Sequence, residues 1–235
     1  MSREVVLDSR GMRFKLLLGA LLLVGLFPAR ASAQISIWLN RGTSGFGASA
    51  TLATSDDVTT VGIAGGYSWQ GILDFDLGLL RHAYDPEGFA GIEDVVAYGI
   101  APGVQYHPLK QGPGMPISVG IGAGYEQLFV QSDFLDDSGV DISAWVLTLS
   151  GSVYRFFRLG ENVGVIPSAG IGLVHSSVSS DPGGSESDDD VAVQLSGNFA
   201  YLSGTTIFGV TPFIVIGDGT VFGVNLQVVF SQPGS

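Results

Sequence analysis

Cysteine is absent from all 235 residues, so neither a disulfide framework nor a thiolate metal site is open to this chain. Charge is sparse as well. Asp, Glu, Lys and Arg make up 14% of the residues, and ten basic against twenty-two acidic residues give a net charge of −12. That balance repels polyanions and excludes nucleic acid as a partner. Long apolar runs are missing too. Beyond the N-terminal region nothing approaches the roughly 20 consecutive apolar residues that a membrane helix needs. Yet 46% of the chain is hydrophobic, and 35 residues are glycine. Apolar residues so abundant, and never gathered into a helix-length run, are spread in alternation along strands.

Met12-Arg13-Phe14-Lys15 opens a basic stretch, residues 16–27 form an apolar run, and Ala31-Ser32-Ala33 offers a small-x-small cleavage site before Gln34. Residues 1–33 therefore read as a secretory signal peptide, too short in its apolar part to span a membrane, and residues 34–235 as one domain. Cleavage would remove Arg3, Arg10, Arg13, Lys15 and Arg30 but only Glu4 and Asp8, leaving five basic residues against twenty acidic ones.

In residues 220–230, Phe222, Val224, Leu226, Val228 and Phe230 share one parity, and Gly223, Asn225, Gln227 and Val229 the other. Successive side chains of a strand point to opposite faces, so this segment has one greasy face and one small or polar face. Upstream the pattern recurs: Val61, Ile63, Tyr67 and Trp69 against Gly62, Ala64, Gly66 and Ser68, then Leu73, Phe75, Leu77 and Leu79 against Asp74 and Asp76. A soluble sandwich would bury the greasy faces, whereas a transmembrane barrel turns them to lipid. About ten strands can be laid out this way, the first a bent one running from Ile35, Ile37 and Leu39 into residues 48–53. Connections near Gln70, Lys110, Gly160 and Gly204 are short or moderate, while those at 83–94, 131–141 and 176–190 are longer and acidic. Short periplasmic turns, longer external loops and an even strand number fit a membrane barrel. Trp69, Tyr106, Tyr201 and Phe230 end descending strands as an interface aromatic girdle, with Phe129, Trp145 and Phe222 nearer the other rim. Pro102, Pro167 and Pro212 fall inside strands; a closed barrel has no edge for them, so each is expected at a bulge or a strand end, or else the strand assignment is wrong there.

Gly223, Leu226, Val228 and Phe230 resemble the closing strand of the small, porin-like outer-membrane β-barrel proteins, although residues 231–235 follow the Phe. The resemblance covers residues 34–230. It implies an all-β fold, an antiparallel up-and-down transmembrane β-barrel of about ten strands (eight is the alternative), in the outer membrane of a Gram-negative envelope. It further implies outer-membrane lipid and lipopolysaccharide as partners, with the barrel-assembly machinery acting on the C-terminal strand. The role implied is non-enzymatic, structural or surface-interacting, around a narrow and largely filled lumen. A narrow cation-preferring or small-solute channel is the alternative. No cofactor and no metal is called for.

Asp74, Asp76 and Glu126 have lumen parity and mark a possible ion or solute path. No Lys or Arg shares that parity mid-strand, so the carboxylates are expected to be hydrated, cation-bound, paired with one another or protonated. A hydrogen-bonded polar plug with water is the plain alternative, because a barrel of about eight strands leaves just enough room for its side chains. Gly120, Gly122 and Gly124 are not followed by the helix a phosphate loop needs, and read as a lumen stripe where opposing walls approach closely. His175 and Ser177 share an outward parity near the external rim. With an acid from residues 188–190 they are similar to the outer-membrane lipid A deacylases, in which His activates Ser and an acid orients the His. The continuation Val178-Ser179-Ser180 departs from that family's Asn-containing one, and a rim His beside a Ser-rich loop is the ordinary reading. His82 and His107 read as interface or turn residues. The acidic clusters (Asp133, Asp136, Asp137, Asp141 and residues 181–190) lack the spacing and turn glycine of a calcium loop and read as a solvated face.

Overall fold

Alternating residues place a greasy exterior on a closed wall. The computed structural model describes residues 35–84, 95–131, 141–181 and 184–232; the expected signal peptide and most of two acidic loops lie outside them. The strands are β1 (Ser44–Thr54), β2 (Val58–Trp69), β3 (Leu73–Tyr84), β4 (Val95–Leu109), β5 (Ser118–Gln131) and β6 (Asp141–Tyr154). A two-residue β7 (Phe157–Arg158) follows, then β8 (Val163–Asp181), β9 (Gly184–Ser203), β10 (Thr206–Ile216) and β11 (Thr220–Gln232). Neighbours pair antiparallel, β6 pairs β8 directly, and β1 pairs β11 from Ser44↔Gln232 to Thr54↔Phe222. The last ladder closes a ten-stranded barrel, with β7 an addition to β8. Closure leaves no unpaired edge in the wall. The rim where β1 begins and β11 ends is the near rim; the opposite one is the far rim.

The wall is inside out relative to a soluble protein. Ile63, Phe75 and Leu77 are 52–59% exposed, whereas inward Asp74 is 1% exposed. Trp69, Tyr106, Tyr201 and Phe230 are exposed on the exterior towards the near rim, with Phe46 and Tyr67 packed 4.8 Å apart among them. Tyr98, Phe129 and Phe222 are exposed towards the far rim.

Three expectations are corrected. Residues 35–39 do not begin a strand. Trp38 N–H bonds to the Ile35 carbonyl and Leu39 N–H to that of Ser36, and this turn sits inside the near end of the barrel. Ile35 and Leu39 also lie four apart, so one turn puts both on one face, where they pack with Ala200, Ile207 and Val229. A Cβ on Gly47 would come within 2.7 Å of Ile35 Cγ1, so the wall has room for this segment only as glycine there.

Residues 176–181 and 184–190 are strand and not loop. β8 and β9 stay paired out to Ser180↔Gly184, with Asp188 opposite Ser176 and Asp189 opposite His175. Residues 184–189 are exposed on both faces, and a strand with water on both faces needs no apolar alternation, so it looks like loop in sequence.

The prolines are not at bulges. β4–β5 pairing lapses between Ile100↔Gln127 and Gly103↔Gly124 with register unchanged, leaving Pro102 no donor to supply. The β10–β9 ladder does the same around Pro212, between Val210↔Phe199 and Phe213↔Ser196. Pro167 lies one residue past the last β6–β8 pair, Tyr154↔Ser168. A bulge does occur in β4, between Tyr106 and Leu109.

Candidate functional site

That bulge builds the near-rim site. His107 keeps the inward parity of β4, and the extra residue then turns Leu109 outward (41% exposed) and Lys110 inward. His107 Nδ1 lies 2.8 Å from the Tyr154 hydroxyl, and its Nε2 lies 3.9 Å from Asp74 Oδ2. Asp74 Oδ2 accepts hydrogen bonds from Ser36 N–H (2.9 Å) and Ser36 Oγ (2.7 Å). Lys110 Nζ donates to the Ser36 carbonyl and to the Tyr154 hydroxyl at 3.2 Å. Both backbone groups of Ser36 are therefore gripped, one by a carboxylate and one by an ammonium. Burial lowers the Lys110 pKa to about 8, against the opposing pull of Asp74.

A second cluster lies further up the lumen. Glu126 Oε1 is 2.9 Å from His82 Nε2, and His82 Nδ1 is 2.9 Å from Thr60 Oγ1. Glu126 comes from β5 and His82 from β3, so they meet across the intervening β4. The crossing point is Gly99, where any Cβ would overlap the Glu126 carboxylate. Val95, Ala97, Leu128, Ala144, Val146 and Val174 form an apolar cluster on this far-rim side.

Of the arrangements expected for the lumen carboxylates (hydrated, cation-bound, paired with one another or protonated), none includes the partners that Asp74 and Glu126 have, Ser36 and His82. His82 and His107, read as interface or turn residues, are 4% and 1% exposed inside the lumen. The lumen glycines also differ from expectation. They accept side chains from adjacent strands rather than an opposing wall: Asp76 lies over Gly103 and His107 over Gly120. Asp76 borders a central cavity of about 170 Å³ that is also lined by Ile37 and by the far-rim apolar residues Val174, Ala192 and Val215.

Outside the wall, His175 Nδ1 lies 2.7 Å from Asp189 Oδ1, and its ring is 5.2 Å from that of Trp145. No hydrogen bond joins Ser177 to His175 among the described residues. Nor is any group of three His, Asp or Glu among them placed to hold a metal ion.

Ser36, Lys110 and Tyr154 were missed from sequence. The available signals were Pro108, which interrupts the alternation of β4 beside the bulge, and Lys110 as the sole lysine of residues 34–235.

No family model and no curated protein matches the chain. Solved structures do. The translocator domain of the autotransporter NalP from Neisseria meningitidis is 9% identical, with 98% of this chain and 99% of that one covered and a TM-score of 0.49. Ail, the attachment invasion locus protein of Yersinia pestis, is 11% identical over 81% of this chain and 97% of its own, with a TM-score of 0.40. A loop-deletion mutant of OmpT, an outer membrane protein of Vibrio cholerae, is 12% identical over 80% and 59%, with a TM-score of 0.31. At these identities and TM-scores the likenesses carry no argument, and the fold rests on the ladders themselves: the chain is a closed antiparallel barrel, the architecture of outer-membrane β-barrels, apolar outside and with both polar and apolar clusters within.

Proposed function

We propose that the protein is an integral outer-membrane barrel with a shut lumen, whose non-enzymatic role is carried by its external face. The near rim is then periplasmic and the far rim faces outward. The observation that carries this reading is the Ser36 clasp, which seats the chain's own residues 35–39 in the near mouth. The surface element is the β8–β9 hairpin. It continues about 25 Å along the strand past the outward pair Leu173↔Val191, at roughly 3.3 Å per residue. Its exposed Glu186, Asp188 and Asp189 suit a cationic or cation-bridged partner.

Planar-bilayer recordings in a KCl gradient test it. The refolded mature barrel is expected to show no steady steps, and both a deletion of residues 35–40 and Asp74→Ala are expected to conduct. Steady cation-selective steps from the unaltered protein, losing selectivity in Asp76→Asn, would establish a channel instead.

One observation favours a second reading. The His175–Asp189 pair sits beside Trp145 at the far rim, with Ser177 two residues along on the same face. These are the residue types of a Ser–His–acid hydrolase of outer-leaflet acyl esters, in which Ser177 would have to swing within reach of His175. Lipid A mass spectra identical with the unaltered protein and with Ser177→Ala would dispose of it.

A further inference from the structure

Closure removes the edges from the wall, but the β8–β9 hairpin outruns the wall. β9 pairs with β10 only from Val193↔Ile216 onward, whereas its pairing with β8 continues out to Ser180↔Gly184. Among the described residues, 184–192 therefore have a neighbouring strand on one side alone. The direction of their backbone groups follows from Gly217, one residue past the end of β10. A Cβ there would come within 3.5 Å of the Val191 carbonyl, so Val191 turns its backbone groups to the β10 side. These groups alternate in direction along an antiparallel strand, which points those of Ser185, Ser187 and Asp189 to the same free side.

Proteins usually blunt such an edge by proline, lysine, a bulge or brevity. Residues 184–192 hold neither proline nor lysine, and their register against β8 is unbroken. Carboxylates cover this edge instead. Asp189 N–H donates to Asp188 Oδ1 at 2.9 Å, and Val191 N–H donates to Asp190 Oδ1 at 2.6 Å. Each cap is withdrawn by rotating one side chain, and no ladder bond breaks when it goes.

Charge decides what can pair there. A second copy, edge to edge, would set Glu186, Asp188, Asp189 and Asp190 among their own counterparts, and like charges facing across strands are destabilising. The chain's own segments 85–94 and 132–140 are rich in Asp and Glu and hold no basic residue, so they meet the same repulsion. A basic segment meets none. Glu186, Asp188 and Asp190 share one face at a spacing of two. A strand laid along the edge with Lys or Arg at alternate positions offers each of them a cation. As the carboxylates turn to those cations, the N–H groups of Asp189 and Val191 are released to the added strand's carbonyls.

We infer that the free edge of β9 is a docking site for an extended basic peptide segment, which adds to it as a further strand. This rests on the reading of the hairpin as the external element of a shut barrel.

Fluorescence anisotropy of dye-labelled acetyl-Thr-Lys-Thr-Lys-Thr-Lys-Thr-amide tests it against the refolded mature barrel in neutral detergent, at about 0.15 M salt to screen diffuse attraction. The unaltered protein is expected to bind this peptide saturably. Its counterpart with every backbone nitrogen methylated keeps the charge but cannot donate strand hydrogen bonds, and is expected to bind at least about tenfold more weakly. Ser187→Pro removes an N–H on the free side while keeping the β8 ladder and every charge, and should weaken binding by about tenfold as well. No saturable binding by the unaltered protein overturns the site, and unchanged binding in folded Ser187→Pro does so by placing the peptide elsewhere. Equal binding of the two peptides also overturns it, as charge attraction without strand addition, and that comparison needs no variant to refold. Conductance of the same samples separates the two readings. Binding without conductance upholds both, binding with conductance overturns only the shut lumen, and neither binding nor conductance overturns only the edge site.

Discussion

Two carboxylates in one lumen are stabilised in different ways. Glu126 is held by the wall itself: His82 from β3 reaches it over Gly99, and Thr60 from β2 backs the histidine. Asp74 is held partly by residues 35–39, which belong to no strand, through Ser36. A buried carboxylate is costly without partners, so each arrangement is needed. Only one of them can be withdrawn without breaking a ladder. The Glu126 pair therefore belongs to the barrel's stability, and the Asp74 clasp to whether its mouth is open or closed.

Gly99→Val attacks the wall-borne pair most directly, since its side chain occupies the space of the Glu126 carboxylate. Separating a buried pair of this kind costs about 3–5 kcal/mol. Urea unfolding in detergent micelles, followed by tryptophan fluorescence, is expected to show a loss of that size. Gly151→Ala, where a Cβ meets nothing within 4 Å, should stay close to the unaltered protein. Equal losses in both would mean that Gly99 answers to strand propensity and not to the pair.

Asp74→Ala is expected to cost about 3 kcal/mol by leaving the buried Ser36 donors unmatched. Its distinguishing effect is local. Arg41 lies two residues past the clasped segment, so tryptic cleavage after it should quicken in Asp74→Ala. His82→Ala should lose comparable stability while Arg41 stays resistant. Cleavage quickening equally in both would erase the difference between the two carboxylates, because the clasp would then open only with the whole barrel.

The wall was legible because an apolar exterior and a crowded lumen impose a period of two, which glycine and small polar residues on one face make plain. Phe75, Leu77 and Leu79 outside, with Asp74 inside, follow directly from parity. What parity could not supply was any event that changes it. One extra residue near Pro108 turned Lys110 from a turn residue into a lumen donor. Ile35 and Leu39 satisfied a strand pattern and a turn pattern alike, and only the space over Gly47 decides between them. His82 and Glu126 lie 44 residues apart, on strands separated by a third, so their meeting depends on register across two ladders. The β8–β9 hairpin misled for the opposite reason, since polar residues on paired strands resemble a loop.

The smallest expected effect sharpens the comparison by titrating the clasp alone. Burial lowers the Lys110 pKa from its usual 10.5 to about 8, so between those values the unfolded chain holds a proton that the folded chain has released. Stability therefore rises with pH across that window and is flat below it as far as this group is concerned. From pH 7.5 to 9.5 the gain is about 2 kcal/mol. Lys110 is the sole lysine after residue 33, so no other lysine contributes to the slope. The urea midpoint of the unaltered protein is expected to rise over this range, and that of Lys110→Met to stay level. His82→Ala, which leaves the clasp intact, should keep the slope at lower overall stability. A slope that survives in Lys110→Met would trace it to other groups and leave the ammonium on Ser36 with no measurable cost of burial.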